Sequence, residues 1–329
     1  TSLLGTSIDG YVSVNGSDTK ESTSCKFDNS KKINYVVTFM NTDNKTVLET
    51  RKVSSGTALG NLPSTRQYFT KTGGNGTEYT STSTITDDAL VYPKLTKFEL
   101  DSWTTIATNV RNGNTGDYNV GDTKEVNLGT TYGTHTLRIA NTTTPSECST
   151  SGFSQTACGF VLEFADIITT YEMNDTDTNV GGWPASSMYD FVNYDIYNSL
   201  PSDLKSTIID TTVVSSHGST NGENFTSIDK LYLLSLKEVY SDWSTNSYSS
   251  YDSAKDLTRT LDYYINKNVT SSDDSETIKK YKTTDSWWWL REAHSNYDHS
   301  FFIVPTDDYS YLSTYANTSG GVSPAFRIG

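Results

Sequence analysis

From Ile33 the chain alternates β-branched or aromatic residues with polar ones, INYVVTFMN, in the two-residue period of a half-buried strand. KTVLETRKVSSGTALGNLP then predicts a second strand, a turn and a short segment ending at Pro63, and STSTITDDALVYPKL closes the unit. Further on, DSWTTIATNVRNGNTGDYNVGDTKEVNLGTTYGTHTLRIANTT predicts a short helical or turn element followed by strand, turn and strand. CGFVLEFADII adds another apolar strand. The period changes in SSMYDFVNYDIYNSLPSDLKSTIID, where Met188, Phe191, Val192 and Ile196 recur every three to four residues. That is a helical stripe, with Ser186 or Ser187 placed to cap its start. Leu204, Ile208 and Ile209 extend the apolar face past Pro201, which opens a second short helix. DKLYLLSLKEVY reads as an apolar strand running into a turn, and Phe301–Val304 as a buried strand. Residues 241–282 are Ser/Asp-rich and show no readable period.

These patterns divide the chain into three parts. Residues 1–31, rich in Ser, Thr, Gly, Asp and Lys with one strand-like piece, GYVSV, read as a linker or the end of a preceding module. A small module follows over 32–96 and a larger domain over 97–329. The expected fold class is α+β.

Two groups of motifs carry family resemblances. An opening VTF strand, a V-x-x-G turn, a step to Pro63 and the run TITDDALVYPK resemble an internalin-type B repeat, a β-grasp-like module of bacterial surface proteins. Phe39, Gly56, Pro63, Thr84, Ile85, Asp87, Val91 and Tyr92 carry the match. QYFTKTGGNGTEY departs from it, standing where such repeats hold a Gly-Trp pair. The resemblance implies a spacer or adhesion module. Over 97–329, the ordered set W-x-x-I, GDTKEVNLG, LRI, MNDTDTNVGGWPASSMYDFVN, LPSDLKSTI, DKLYLLSLKEVY, WWWLREA and GVSPAFRI resembles an uncharacterised bacterial surface-domain family. That family has a C-type-lectin-like (formylglycine-generating-enzyme-like) fold and is related to the ligand-binding variable proteins of diversity-generating retroelements. Glu292 stands where it usually has Ser, and Ser323 where it usually has Arg. Both departures are expected to weaken local hydrogen bonds without changing the fold.

Composition narrows the function classes. A formal net charge of -14 repels phosphate backbones, which disfavours nucleic acid as a partner. No apolar stretch approaches the ~20 residues of a membrane-spanning helix, so no membrane insertion is expected in this fragment. The chain starts abruptly at Thr1 without a visible signal peptide and reads as a mature or trimmed piece of a cell-surface or secreted protein. Cys148 and Cys158 flank a Gly/Ser/Thr loop and either close a disulfide, which would imply an oxidising compartment, or stand as two free thiols. Cys25 has no evident partner, and no zinc-binding spacing is present.

No cofactor and no catalytic constellation is expected. His135 falls in a predicted strand, His217 in a Ser/Asn-rich loop, and His294 and His299 in a polar run read as solvated loop. G-x-S-x-G, P-loop and H-E-x-x-H motifs are lacking. The lectin-like fold also hosts enzymes that oxidise cysteine with a cysteine-based centre, but this chain has no Cys after residue 158 to carry that chemistry. Asn174, Asp175, Asp177 and Asn179 offer alternating oxygens, leaving calcium as the one cofactor alternative, although the Gly and distal Glu of an EF-hand are missing.

The C-terminal run has a different character. Between His294 and Ser319, 19 of 26 residues are Asn, Tyr, Asp, His, Ser or Thr, the vocabulary that adenine-directed mutagenesis of Asn codons produces. Tyr gives large amphipathic contact area at small rotamer cost, and Ser, Asn and Asp give adaptable hydrogen bonds, as in antibody paratopes. The expected ligand contacts are Asn296, Tyr297, Asp298, His299, Asp307, Asp308, Tyr309, Tyr311, Tyr315 and Asn317. The scaffold that holds them is expected to be Trp287, Trp288, Trp289, Arg291 and Phe326, with two of the tryptophans in the core and Arg291 on a buried carboxylate or carbonyl. The expected partner is a protein or glycan on another cell, a phage or a host surface. A fixed adhesin or carbohydrate-binding lectin is the alternative to a diversified surface, and a glycan-active enzyme using acidic pairs such as Asp307 and Asp308 is the more distant one.

Overall fold

The computed structural model describes residues 34–306 and 312–329. The linker over 1–31 with GYVSV and Cys25, and the expected contacts Asp307, Asp308, Tyr309 and Tyr311, lie outside the described residues. The chain forms two compact units divided between Leu95 and Thr96. It is mixed α and β, with more sheet than helix.

The first unit is one five-stranded sheet of β1 (Asn34–Met40), β2 (Val47–Ser54), β3 (Tyr68–Lys71), β4 (Asn75–Tyr79) and β5 (Ala89–Pro93). Their order is β2-β1-β5-β3-β4, with β1 antiparallel to β2 and parallel to β5. The alternation in β1 buries Val37 and Phe39, which meet Val53, Leu59, Tyr68, Ile85 and Val91 in a small core. Phe39 and Tyr68 pack edge to face at 5.0 Å. After β2 the chain turns at Gly56, whose φ of +76° favours glycine, and the Gly56 amide donates to the Ile85 carbonyl at 2.8 Å.

The second unit begins with helices Lys97–Leu100 and Trp103–Arg111, capped by Thr96 and Ser102. Its strands are β6 (Thr123–Asn127), β7 (Thr134–Asn141), β8 (Val161–Phe164), β9 (Thr169–Tyr171), β10 (Thr211–Ser215), β11 (Phe225–Asp229), β12 (Lys279–Tyr281), β13 (Thr284–Ser286), β14 (Trp288–Ala293), β15 (Ser300–Val304), β16 (Ser313–Tyr315), β17 (Gly320–Val322) and β18 (Ala325–Arg327). Two sheets dominate: β16-β15-β14-β17-β9 and β18-β8-β7-β6. Ser186 caps a helical run over 187–199 whose Met188, Val192 and Ile196 are buried, while half-buried Phe191 stacks on Tyr171 at 4.1 Å. Cys148 and Cys158 are joined as a disulfide.

DKLYLLSLKEVY does not form the expected strand. Leu231–Leu234 are fully buried but pair with no ladder beyond a bridge from Tyr232 to Ala325. Two of their carbonyls are satisfied from β14 instead: the Arg291 amide donates to Leu234 O at 3.0 Å and its guanidinium to Leu233 O at 2.9 Å. The helix Leu236–Val239 follows, started by a capping box in which Ser235 and Glu238 exchange bonds with each other's backbone amides. The unreadable stretch 241–282 is packed around buried Trp243, Leu261, Tyr263 and Tyr264, with Trp243 Nε1 donating to Asp252 at 2.9 Å.

At the centre of this unit lies Arg291. All five of its N–H donors find acceptors: Nε on Val214 O, Nη1 on Leu233 O and Glu238 Oε2, Nη2 on Glu238 Oε1 and Thr156 Oγ1. Glu238 also accepts from Thr258 and Thr156. At the expected weak point, Ser323, the hydroxyl donates to Phe164 O at 2.9 Å and accepts from Lys279 Nζ at 2.9 Å. Lys279 in turn reaches Glu163, which Arg138 and Tyr264 also contact. The local hydrogen bonds are therefore supplied, not lost.

Candidate functional site: an aromatic ladder at the β14–β15 hairpin

The site is the hairpin between β14 and β15 together with the start of the chain after β16. Trp288, Trp289 and Phe326 are fully buried beneath it, and Trp287 is half-buried. Trp287 lies against Gly320, where a Cβ would collide with the indole ring, so the Gly-Gly of β17 is a packing requirement. The hairpin closes with the His294 amide on Ser300 O at 2.9 Å, and Ala316 N donates to His299 O at 2.8 Å.

Within this frame the rings stack in series. Tyr251 to His294 is 4.7 Å between centroids, His294 to Tyr297 4.7 Å, Tyr297 to His299 5.6 Å, and His299 to Tyr315 5.0 Å. All four pairs are close to parallel. The ladder's most buried rung is His294, only 3 % exposed and packed on Phe302; Tyr251 on one side is half-buried, and Tyr297 and Tyr315 on the other are 49 % and 56 % exposed. His294 therefore differs from the solvated loop histidine expected from its polar neighbours. Burial, and then the neighbouring His299, push its pKa down to about 4, and its Nδ1 accepts from the Asn296 amide. It is a neutral plate in the stack.

Of the expected contacts, the described Asn296, Tyr297, Asp298, Tyr315 and Asn317 are exposed and His299 is half-buried. The Asp298 carboxylate meets His299 Nδ1 at 2.9 Å on the rim. Two residues that build the site were not read from the sequence. Tyr251, the rung beyond His294, sits in the patternless stretch, where it and Tyr248 among serines give no periodic signal.

The second is Asn179, fully buried. Its side-chain amide donates to three carbonyls of the hairpin, His294 O at 3.1 Å, Tyr297 O at 2.6 Å and Ser300 O at 2.9 Å, and its own amide donates to Asp298 O at 2.7 Å. The oxygens offered to calcium thus do not gather: Asn174 Oδ1 accepts from Ser187 N, Asn179 clamps the hairpin, and Asp175 and Asp177 are exposed. Among the described residues no group of three or more His, Cys, Asp or Glu side chains is placed to hold a metal ion. Replacing Asn179 by alanine would strand those carbonyls, so it is expected to cost about 1–3 kcal/mol. Hydrogen exchange should accelerate in 294–300 ahead of β7 and β8; unchanged protection there would show that the clamp does not order the hairpin.

The second unit is thus an α+β domain whose β14–β15 hairpin presents stacked rings on a buried polar and aromatic frame. The chain belongs to the family described as Domain of unknown function (DUF6273), which matches residues 160–329. The match begins at β8, although β6 and β7, which lie outside it, complete the sheet that β8 joins. No curated protein and no solved structure matches the chain. Among the described residues no helix is long and apolar enough to cross a membrane.

Proposed function

We propose that this is a ligand-binding protein of the bacterial cell surface or exterior, in which an internalin-type β-grasp-like module carries a C-type-lectin-like domain that recognises its target through the C-terminal hairpin. The observation that carries the reading is the ladder Tyr251–His294–Tyr297–His299–Tyr315. Its inner rungs are fixed by packing, so the exposed tyrosines lose little freedom when they bind. Exposed ring faces and edges suit a partner that offers apolar CH groups, a guanidinium or another ring. A protein or glycan on another cell, a phage or a host surface meets that description. The Cys148–Cys158 disulfide favours an oxidising, extracytoplasmic setting. The side-chain vocabulary of 294–319 favours a surface shaped by adenine-directed diversification, as in the variable proteins of retroelements. The role is recognition, not catalysis.

A fixed carbohydrate-binding lectin is the second reading, favoured by the exposure of Tyr297 and Tyr315, since sugars stack on such rings. Both readings are tested on one protein and glycan array. For whatever ligand the wild type captures, Tyr297→Ala and Tyr315→Ala are each expected to lower affinity at least about tenfold. The thermal transition should stay nearly in place, because both side chains are half exposed. Full affinity in the double variant would end the proposal.

A further inference from the structure

A cavity of about 560 Å³ lies outside the ladder, between Thr131–His135, the segment Asp166–Thr169 and the β12–β13 hairpin. That volume is within the range of small-ligand sites. Thr169 belongs to β9, the edge strand of the five-stranded sheet opposite to β16, so the two sites share no element of the display hairpin. Tyr132, His135, Asp166, Lys280, Tyr281 and Lys282 line it.

The chemistry of this lining is distinctive on so acidic a chain. Two lysines, Lys280 and Lys282, line the cavity together with two phenol rings, Tyr132 and Tyr281. Lys282 Nζ lies 5.1 Å over the Tyr281 ring, and Lys280 has one long, exposed contact to Asp285 at 3.6 Å. An ion pair so exposed is weak and yields readily to another anion. The backbone adds an independent observation. Lys282 is at the corner of the β12–β13 turn with a φ of +59°. The other described non-glycine residues with positive φ are Asn44 and Asn268, of the type that tolerates it. Hairpin corners of this kind favour Gly, Asn or Asp. A lysine is thus held against its backbone preference at the rim of a cavity, an arrangement that recurs where strain serves a site.

We infer that this cavity binds an acidic sugar, a pyranose bearing a carboxylate. The ammonium groups of Lys280 and Lys282 take the carboxylate, and the Tyr281 and Tyr132 rings offer faces to the apolar side of the sugar. Asp166 and His135 bond its hydroxyl groups. Asp166 also disfavours a compact dianion such as sulfate, which has no hydroxyl donors to offer a carboxylate and would be repelled by it.

The test is calorimetric titration of the whole chain with a uronic-acid tetrasaccharide, with the same tetrasaccharide reduced at its carboxyl groups, and with inorganic sulfate. The uronate should bind, the reduced sugar at least about tenfold more weakly, and sulfate not measurably at the same concentration. Binding should weaken as salt rises. Lys280→Gln with Lys282→Gln should abolish it, while Tyr297→Ala with Tyr315→Ala leaves it unchanged, so failure here is separable from failure of the ladder. Lys282→Asn gives the sharpest reading: it relieves the turn and should raise Tm by about 2–4 °C while lowering uronate affinity. No uronate binding, equal binding of the reduced sugar or of sulfate, or full affinity in the lysine variants would overturn the assignment.

Discussion

Replacing Glu238 by alanine is expected to destabilise the second unit by about 3–5 kcal/mol. Arg291 and Glu238 are both fully buried and joined by two hydrogen bonds of 2.6 and 2.7 Å. Removing the carboxylate leaves a guanidinium with no water to turn to, and burial in low dielectric makes that charge costly. The same change undoes the capping box at Leu236–Val239 and frees Thr258 of the 241–282 stretch. Three segments distant in sequence would therefore lose their common anchor. Replacing both partners by apolar residues, Arg291→Met with Glu238→Leu, should recover part of the loss, since an apolar pair leaves no charge behind. Denaturant unfolding of the two variants measures this directly. A single variant within 1 kcal/mol of wild type would mean that the pair is structurally dispensable.

The second large effect is on pH. Glu292 is buried, and burial, followed by the nearby Asp252 carboxylate, pushes its pKa up to about 8. Arg291 Nε lies 3.2 Å away, but that guanidinium is already neutralised by Glu238. Asp252 is likewise raised, to about 6, by burial above all. The folded domain thus keeps a proton that the unfolded chain releases near 4.5. A raised folded pKa gives a contribution fully present below pH 4.5 and lost as pH climbs through about 8. Stability should therefore fall by on the order of a few kcal/mol across that window. Glu292→Gln, which cannot ionise and retains an acceptor for the Ser216 amide, should remove the fall above the Asp252 pKa of about 6. Unfolding free energies of wild type and variant would then diverge as pH rises from 5.5 to 8.5. Parallel curves would show that Glu292 is charged in the fold.

Much of the fold follows from periodicity. The stripe Met188–Val192–Ile196, the Ser186 cap and the run Phe301–Val304 are legible because each buries one face or all faces of a regular element. The segment Leu231–Leu234 is not, since an apolar run buried on every side looks like a strand whether a neighbouring strand or an arginine satisfies its carbonyls. The stretch 241–282 is mostly irregular chain broken by short 3-10 turns and one short helix, Asp262–Asn266, so its Trp243 and Tyr264 fall at no fixed spacing. The candidate site divides in the same way. Composition marks the exposed tyrosines of the ladder. It gives no sign that His294 is an inner rung or that Asn179 reaches more than a hundred residues along the chain to hold the hairpin.

The hold of Asn179 has one more effect. Every bond it makes with the hairpin ends on a main-chain carbonyl, at His294, Tyr297, Asp298 and Ser300, and none depends on which side chain is attached there. Substitutions at the exposed positions 296 and 298 can therefore alter the surface chemistry while the loop keeps its path. The hairpin is a socket whose exposed fittings are interchangeable, and under the proposed binding role one frame would serve different targets without refolding.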